Sequence, residues 1–271
     1  MRGKIERLEG LVVVTGASSG IGRELALRAA KDGVDLVLAG DQELSAVIMQ
    51  CRTSEARSVE SVECDLATED GVLRLVETIG DRPVSALIAN AGHGGDVAFL
   101  DQDWGEARHI IATNITGTIR LIQLVGLGMR ERDKGRILIT GSIAGHMPGA
   151  FQLVYNSTKA FINDFANGLR NELKDTGVAV TCLEPGVTDT DFFARAHMLD
   201  TKAGKGEKAD PSRVAEDGYA AMLAEEAKVV SGFMNKVQAL FADILPESVV
   251  AQMHRRLAEP EKRKTAEVSG E

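Results

Sequence analysis

LVVVTGASSGIGRELALRAAKDG, Leu11 to Gly33, decides the fold. Leu11 to Thr15 is a continuous apolar, β-branched run, the pattern of a strand buried on both faces of a parallel sheet. TGASSGIG, Thr15 to Gly22, follows it. RELALRAAKDG then carries a helical pattern that Gly33 ends. Gly16, Gly20 and Gly22 let the chain turn tightly and approach a ligand with no Cβ in the way. The first free N–H groups of the helix then face an anion such as a pyrophosphate. A glycine turn that holds no ligand has the same letters, but the strand before it and the helix after it favour dinucleotide binding.

Outward from that unit, strands and helical segments alternate. Val34 to Ala39 reads as a second buried strand, ending in Ala39-Gly40-Asp41. At this place in a dinucleotide-binding unit an acid bonds the ribose hydroxyls and a base accommodates a 2′-phosphate. Asp41 has no Arg or Lys beside it, so NAD(H) is favoured and NADP(H) is not excluded. The competing reading, of nearly equal weight, is that Asp41 caps a helix starting near Gln42. Val59 to Val62 is a short third strand, followed by Cys64-Asp65-Leu66 and a helix from Thr68 with Glu69 and Asp70 in its first turn. Val84 to Ala89 is the fourth strand and runs into ANAG, Ala89 to Gly92, where Asn90 can bridge neighbouring strands through its amide. Residues 101 to 132 read as one helix with a break. Asn114 lies inside it, as a packing or bending feature.

A strand over 136 to 141, a helix over 154 to 174 ended by Gly177, and a strand over Val178 to Leu183 come next. Pro185 and Gly186 break that strand at its carboxyl end, where ligands bind in open parallel sheets. Residues 191 to 212 mix Phe192, Phe193 and Met198 with Lys, Gly and Asp and read as a mobile lid. Pro211 starts a helix through about Ala224, Val229 to Ser231 forms a seventh strand, and 236 to 257 gives two helical patterns around Pro246. The expected fold is α/β: a single doubly wound parallel sheet, a Rossmann-like three-layer α/β/α domain over 1–271. Its core spans about 8–232, a helical extension about 233–258 and a disordered tail 259–271.

Composition is consistent with this. The 271 residues are 44% hydrophobic and 26% charged, ordinary for a soluble protein. A net charge of -9 argues against nucleic acid or an anionic membrane as the main partner. Cys51, Cys64 and Cys182 match no zinc or redox spacing and read as small buried apolar residues, and no metal is expected. MRGKIERLEG lacks the apolar core of a signal peptide, and no run reaches the roughly 18 apolar residues of a membrane span. A cytoplasmic location is expected.

The chemistry concentrates in GRILITGSIAGHMPGAFQLVYNSTKAFINDFA, Gly135 to Ala166. Tyr155 and Lys159 at i,i+4 share one helix face. Ser142 sits just past a strand whose end can point at that face. Phenol, ammonium and hydroxyl together suit proton transfer to or from a carbonyl oxygen. A lone Tyr-x-x-x-Lys is usually packing plus a solvated charge; the surrounding motifs raise its weight.

Together, the glycine turn, ANAG, Ser142, Tyr155-x-x-x-Lys159 and Pro185-Gly186 resemble the classical short-chain dehydrogenase/reductase family, over roughly residues 8 to 232 and in the family's order. The resemblance implies Tyr155 as general acid and base, with Lys159 lowering its pKa and bonding the nicotinamide ribose. It implies Ser142 as holder of the substrate oxygen and Asn114 as the residue that positions a relay water. It implies a cofactor site of Gly16, Ser18, Ser19, Gly20, Ile21, Gly22, Asp41, Asp65, Leu66, Asn90, Ala91, Gly92, Tyr155, Lys159, Pro185, Gly186, Thr188 and Thr190. Asp65 contacts adenine in this reading, and Thr190 lies near the nicotinamide and phosphates. Two features depart from the family pattern. Gly40 stands where NAD-preferring members often carry Asp, with the acid one residue later. Helical residues also follow the last strand, and similar extensions cover substrate pockets or build oligomer contacts.

The implied function is interconversion of an alcohol with a ketone or aldehyde. The alternatives are a non-catalytic dinucleotide-binding regulator and an epimerase or dehydratase that recycles its nicotinamide. Candidate substrate residues are His93, Ala144, His146, Met147, Phe151, Leu153, Phe192, Phe193 and Met198, mostly apolar, so a lipophilic small molecule is expected. His93 and His146 are more often loop histidines than catalysts. A homodimer or homotetramer is expected.

Overall fold

The computed structural model describes residues 3–95, 97–192, 196, 201, 205, 208–232 and 246–258. The seven apolar runs pair as strands β1 (Leu11–Thr15), β2 (Asp35–Gly40), β3 (Ser58–Glu63), β4 (Val84–Ala89), β5 (Gly135–Thr140), β6 (Val178–Glu184) and β7 (Lys228–Val230). All are parallel, in the order β3-β2-β1-β4-β5-β6-β7. Alternation along each strand divides the core. Val12, Val14, Leu36 and Leu38 face one layer, with Val13, Val37, Ala39 and Ile137 facing the other. The first layer is covered by α1 (Gly20–Ala30), α2 (Ser45–Thr53) and α7 (Pro211–Leu223); the second by α3 (Glu69–Ile79), α5 (Thr118–Glu131) and α6 (Leu153–Glu172). The chain leaves β1 and β4 in opposite directions along the sheet, which opens a crevice at their carboxyl ends.

The expected helix over 101 to 132 is α4 (Trp104–Ile111) and α5, joined by a π-helical turn over Ala112–Gly117. Thr118 Oγ1 donates to Thr113 O there at 3.1 Å. Trp104–Glu131 is long and apolar enough to cross a membrane by length and composition. It holds no uninterrupted apolar run of that length, because Thr, Asn, Gly, Arg120 and Gln123 break the apolar residues. In the fold this helix packs one face on β4 and β5.

The helix expected near Gln42 begins at Ser45, with Leu44 at its N-cap, so Asp41 is not a cap. The delay has a cause: Gly40 still belongs to β2, and its carbonyl accepts from Cys64 N at 2.8 Å. Thr68 does cap α3, accepting from Gly71 N at 3.0 Å. Cys51, Cys64 and Cys182 are all buried and unbridged, and burial pushes their thiols up to about 11, 11 and 12. Beyond Pro246 the extension forms α8 (Glu247–Ala258). The first helical pattern of the extension, the tail, Phe193, Met198 and most of the expected lid lie outside the described residues.

Candidate active site

The glycine turn is built by close approach of backbone to backbone. Gly16 has φ +62, and a Cβ there would come within 2.9 Å of Ala91 Cα. A Cβ on Gly22 would overlap Gly16 O and Asn90 Nδ2. Thr15 Oγ1 accepts from Asn90 N (2.9 Å) and Ala91 N (3.0 Å). Asn90 Nδ2 donates to Thr15 O at 3.2 Å, and its Oδ1 accepts from Thr140 Oγ1 at 3.1 Å. One amide thus ties β1, β4 and β5 together at the crevice, as its position after β4 suggested. At the N-cap of α1, Ser19 is extended and makes no side-chain cap. The first N–H groups of α1 therefore open onto the crevice beside Ser18, Ser19, Gly20 and Ile21, a cradle that fits a pyrophosphate.

From this turn a cavity of about 810 Å³ runs across the carboxyl ends of the strands. Asp41, Asp65, Leu66, Asn90, Ala91 and Gly92 line its β2–β4 side; Pro185, Gly186, Thr188 and Thr190 line it beyond β6. Asp65 Oδ1 accepts from Ala67 N (2.8 Å), and its other oxygen lies 3.9 Å from His109 Nδ1.

Ser142, Tyr155 and Lys159 meet on one wall. Lys159 is buried, and its Nζ donates to Thr140 O at 2.8 Å and stands 5.9 Å from the Tyr155 ring centroid. Burial pulls this ammonium down to about 8. Burial also pushes the half-buried Tyr155 phenol up to about 12, against a hydrogen bond with the Ser142 hydroxyl that lowers it. Desolvation thus outweighs the lowering by Ser142. Ser142 Oγ accepts from Ala144 N (3.1 Å) and donates to Pro185 O (3.5 Å).

Asn114 sits on the π-helical turn, 2% exposed and behind the cavity wall. Its Oδ1 accepts from His93 N (2.7 Å); its Nδ2 donates to His93 O (2.9 Å) and Thr158 Oγ1 (2.9 Å). One amide hydrogen braces the loop after β4 and the other is held by Thr158 on α6. Gly22 is also behind the wall, where its missing side chain admits Gly16 O.

Of the expected substrate residues, His93, Ala144, Met147 and Phe192 line the cavity. Phe192 packs against the Tyr155 ring, centroids 5.2 Å apart. His146, Phe151 and Leu153 do not line it. His146 turns to Glu184, Nε2 to Oε2 2.9 Å. Phe151 has φ +65, and its ring lies under the Arg255 guanidinium. Leu153 projects to solvent, 46% exposed. The helix explains the last: positions two apart face away from each other, so Leu153 is off the Tyr155 face, whereas Gln152, three before, is on it. Gln152 lines the cavity and was legible by this argument. His109, Val187, Lys208, His254 and Ala258 also line it. His254 and Ala258 come from α8, whose i,i+4 spacing marks a shared face but not what that face meets. The extension therefore walls the pocket. Asn156 Nδ2 and His254 Nε2, 3.2 Å apart, tie α8 to α6, and burial lowers the His254 pKa.

The model of the short chain dehydrogenase family matches residues 10–198. An uncharacterized oxidoreductase of Myxococcus xanthus (strain DK1622) is 35% identical over 198 residues, 70% of this chain and 78% of its own. A very-long-chain 3-oxoacyl-CoA reductase of Meyerozyma guilliermondii is 33% identical over 181 residues, 62% of this chain and 53% of its own, so the chain spans about half the length of that relative. Among solved structures, a short-chain dehydrogenase from Sphingobium yanoikuyae in complex with NADPH matches with a TM-score of 0.76 at 25% identity, over 95% of this chain and 99% of that one.

Proposed function

The chain belongs to the short-chain dehydrogenase family and is an oxidoreductase of NAD(P)-binding type; from that premise we propose that it interconverts a lipophilic alcohol with its ketone or aldehyde, using Tyr155 to move the proton. The observation that carries this reading is the convergence of the Tyr155 phenol, the Ser142 hydroxyl and the Lys159 ammonium on one wall of the cavity that begins at the glycine turn. When bound there, a nicotinamide dinucleotide supplies or accepts the hydride. The chain supplies position and the proton.

In reduction Tyr155 gives its proton to the carbonyl oxygen, and its raised pKa keeps it protonated for that task at neutral pH. In oxidation it takes the hydroxyl proton. That direction requires phenolate, favoured by the Lys159 charge and by a positive ring nearby. Ser142 holds the substrate oxygen next to the phenol. Lys159, fixed by Thr140 O, holds the ribose hydroxyls. Asn114 braces the His93 loop; a relay water would bind through its remaining carbonyl lone pair.

Asp41 on the cavity wall at the end of β2 supports NAD(H) over NADP(H), since a 2′-phosphate would meet a carboxylate. Ile143, Ala144, Met147, Val187, Phe192 and Ala258 give the substrate end an apolar lining, which supports a lipophilic substrate. A 3-oxoacyl thioester belongs to that class. The unbridged, buried thiols agree with a reducing, cytoplasmic setting, and a homo-oligomer is part of the same reading. The test is a panel of lipophilic alcohols and ketones with each cofactor, read by the absorbance change of the nicotinamide. No turnover with any of them would overturn the reaction class.

A further inference from the structure

We propose that His146 and Glu184 form a positioning clamp that sets where the Ser142–Met147 turn stands against the substrate. The inference rests on the reading of Ser142 as holder of the substrate oxygen.

Glu184 ends β6 with its side chain 1% exposed, an acid buried at the active end of the sheet and unused by the proton transfer. A carboxylate only accepts hydrogen bonds, so His146 carries its proton on Nε2 and donates it, at 2.9 Å. Lys228 Nζ stands 3.8 Å from the same oxygen, and the Cys182 thiol, two residues back on β6, is kept neutral by burial. The 3-10 turn Ile143–His146 is fastened to the end of β6 at both of its ends. At the start, Ile143 N donates to Pro185 O at 3.1 Å and Ser142 Oγ to the same oxygen at 3.5 Å. At the finish, the His146 ring reaches Glu184, the residue just before Pro185. From the helix side, Asn163 grips the Ser142 peptide, accepting from its N (3.3 Å) and donating to its O (2.9 Å).

Two of these three anchors hold the turn near Ser142. At the distal end the His146 ring is held on Glu184 and, one residue on, Met147 O accepts from Asn156 Nδ2 at 3.0 Å; between the two ends lies Ala144, which with Met147 stands on the cavity wall. Without the clamp the turn loses its tie to β6 at the distal end and, of these hydrogen bonds, keeps there only the one from α6 to Met147 O, and a buried carboxylate loses its nearest donor and must reorganise. Misplacing a substrate-positioning group by about 1 Å can cost on the order of a hundredfold in rate. The pyrophosphate cradle lies across the sheet at β1 and α1, so the effect falls on the substrate far more than on cofactor affinity.

The experiment compares His146→Ala and His146→Gln in the full-length enzyme, with a ketone from the panel. The Ala variant should lose roughly tenfold to a hundredfold in kcat/KM for the ketone, with cofactor Kd unchanged by titration. The Gln variant, whose amide can still donate to Glu184, should recover most of that loss. If the Ala variant does not fold, His146→Asn, polar but too short to reach, takes its place. An unimpaired Ala variant, a Gln variant as impaired as Ala, or a parallel loss of cofactor affinity would each overturn the clamp. Tyr155→Phe runs alongside. If it is inactive while His146→Ala is normal, only the clamp fails; if Tyr155→Phe is itself active, the reading of the site fails.

Discussion

At one end of the cavity, backbone meets backbone. Gly16, Gly20 and Gly22 are small because neighbouring main-chain or side-chain atoms already occupy the space a Cβ would need, and the binding groups are N–H groups of α1. At the other end side chains do the work, delivered by a 3-10 turn, the first turn of α6, the segment after β6 and the distant α8. The first end has one local sequence that will build it. The second can be assembled from many sequences, because apolar and polar side chains from separate elements only need to arrive in the same place. The glycine-turn end is therefore the less tolerant of added atoms, and the opposite end the more tolerant.

The junction of the two ends gives the largest expected effect. Tyr155→Phe keeps the ring that packs on Phe192 and removes only the hydroxyl. Turnover should fall about a hundredfold to ten-thousandfold, as for a general acid–base group, with cofactor still bound by titration. In the unmodified enzyme oxidation should rise with pH as the phenol ionises, and reduction should not. Near-normal turnover of the Phe variant would remove the mechanism.

The contrast itself is tested by adding one heavy atom to each end. Gly22→Ala should weaken cofactor binding and lower Tm, since overpacking against Gly16 O costs about 1–3 kcal/mol. Ala258→Ser, on the wall from α8, should change KM for substrate only and leave cofactor Kd and Tm in place. Equal effects of both changes would erase the distinction drawn between the ends.

Lys159 links the two regions and carries a stability signature. Its folded pKa, about 8, lies below the ordinary value of 10.5. Between these values the unfolded chain binds the Lys159 proton and the folded chain does not, so this group's contribution to stability rises with pH across that window. The full displacement corresponds to roughly 3–4 kcal/mol. Tyr155, raised from 10.0 to about 12, acts oppositely above pH 10, where stability falls as pH rises. Urea melts of the cofactor-free protein from pH 8 to 9 should show the rise, below the range in which the Cys51, Cys64 and Cys182 thiols, raised from 9.0 by burial, make stability fall as pH rises, and Lys159→Met should flatten it.

The smallest effect concerns cofactor choice. Asp41→Arg should shift the ratio of NADP(H) to NAD(H) efficiency by roughly tenfold to a hundredfold, the range of one charge-assisted contact. Steady-state constants showing a strong NADP(H) preference in the unmodified enzyme would sink the role given to Asp41.

The same contrast explains what the amino-acid sequence reveals. β4 appears at Val84–Ala89 as the apolar run predicts, and Asn90 bridges strands as its place after that run predicts. Both are local facts. Phe151 is apolar and lies between Ser142 and Tyr155, which made it a candidate, but a left-handed backbone turns it under Arg255. No composition rule signals φ +65 at a phenylalanine. His254 reaches the cavity from 98 residues beyond Asn156, a distance that periodicity cannot bridge. His146 was found for its type and missed for its direction, because its partner Glu184 lies on another strand.

The π-helical turn over Ala112–Gly117 restricts how this chain can vary in length. Each residue of an α-helix turns it by about 100°. A π-helical turn can lose one residue by tightening to α-helix, but inserting one would rotate all of α5 relative to α4 and carry Leu121, Ile122, Val125 and Met129 off the sheet. An insertion there disturbs the whole layer, whereas a substitution disturbs only what its side chain touches. Lineages descended from this chain should keep Asn114 and Gly117 and gain no residue within 112–117, and insertions should collect in loops outside Trp104–Glu131.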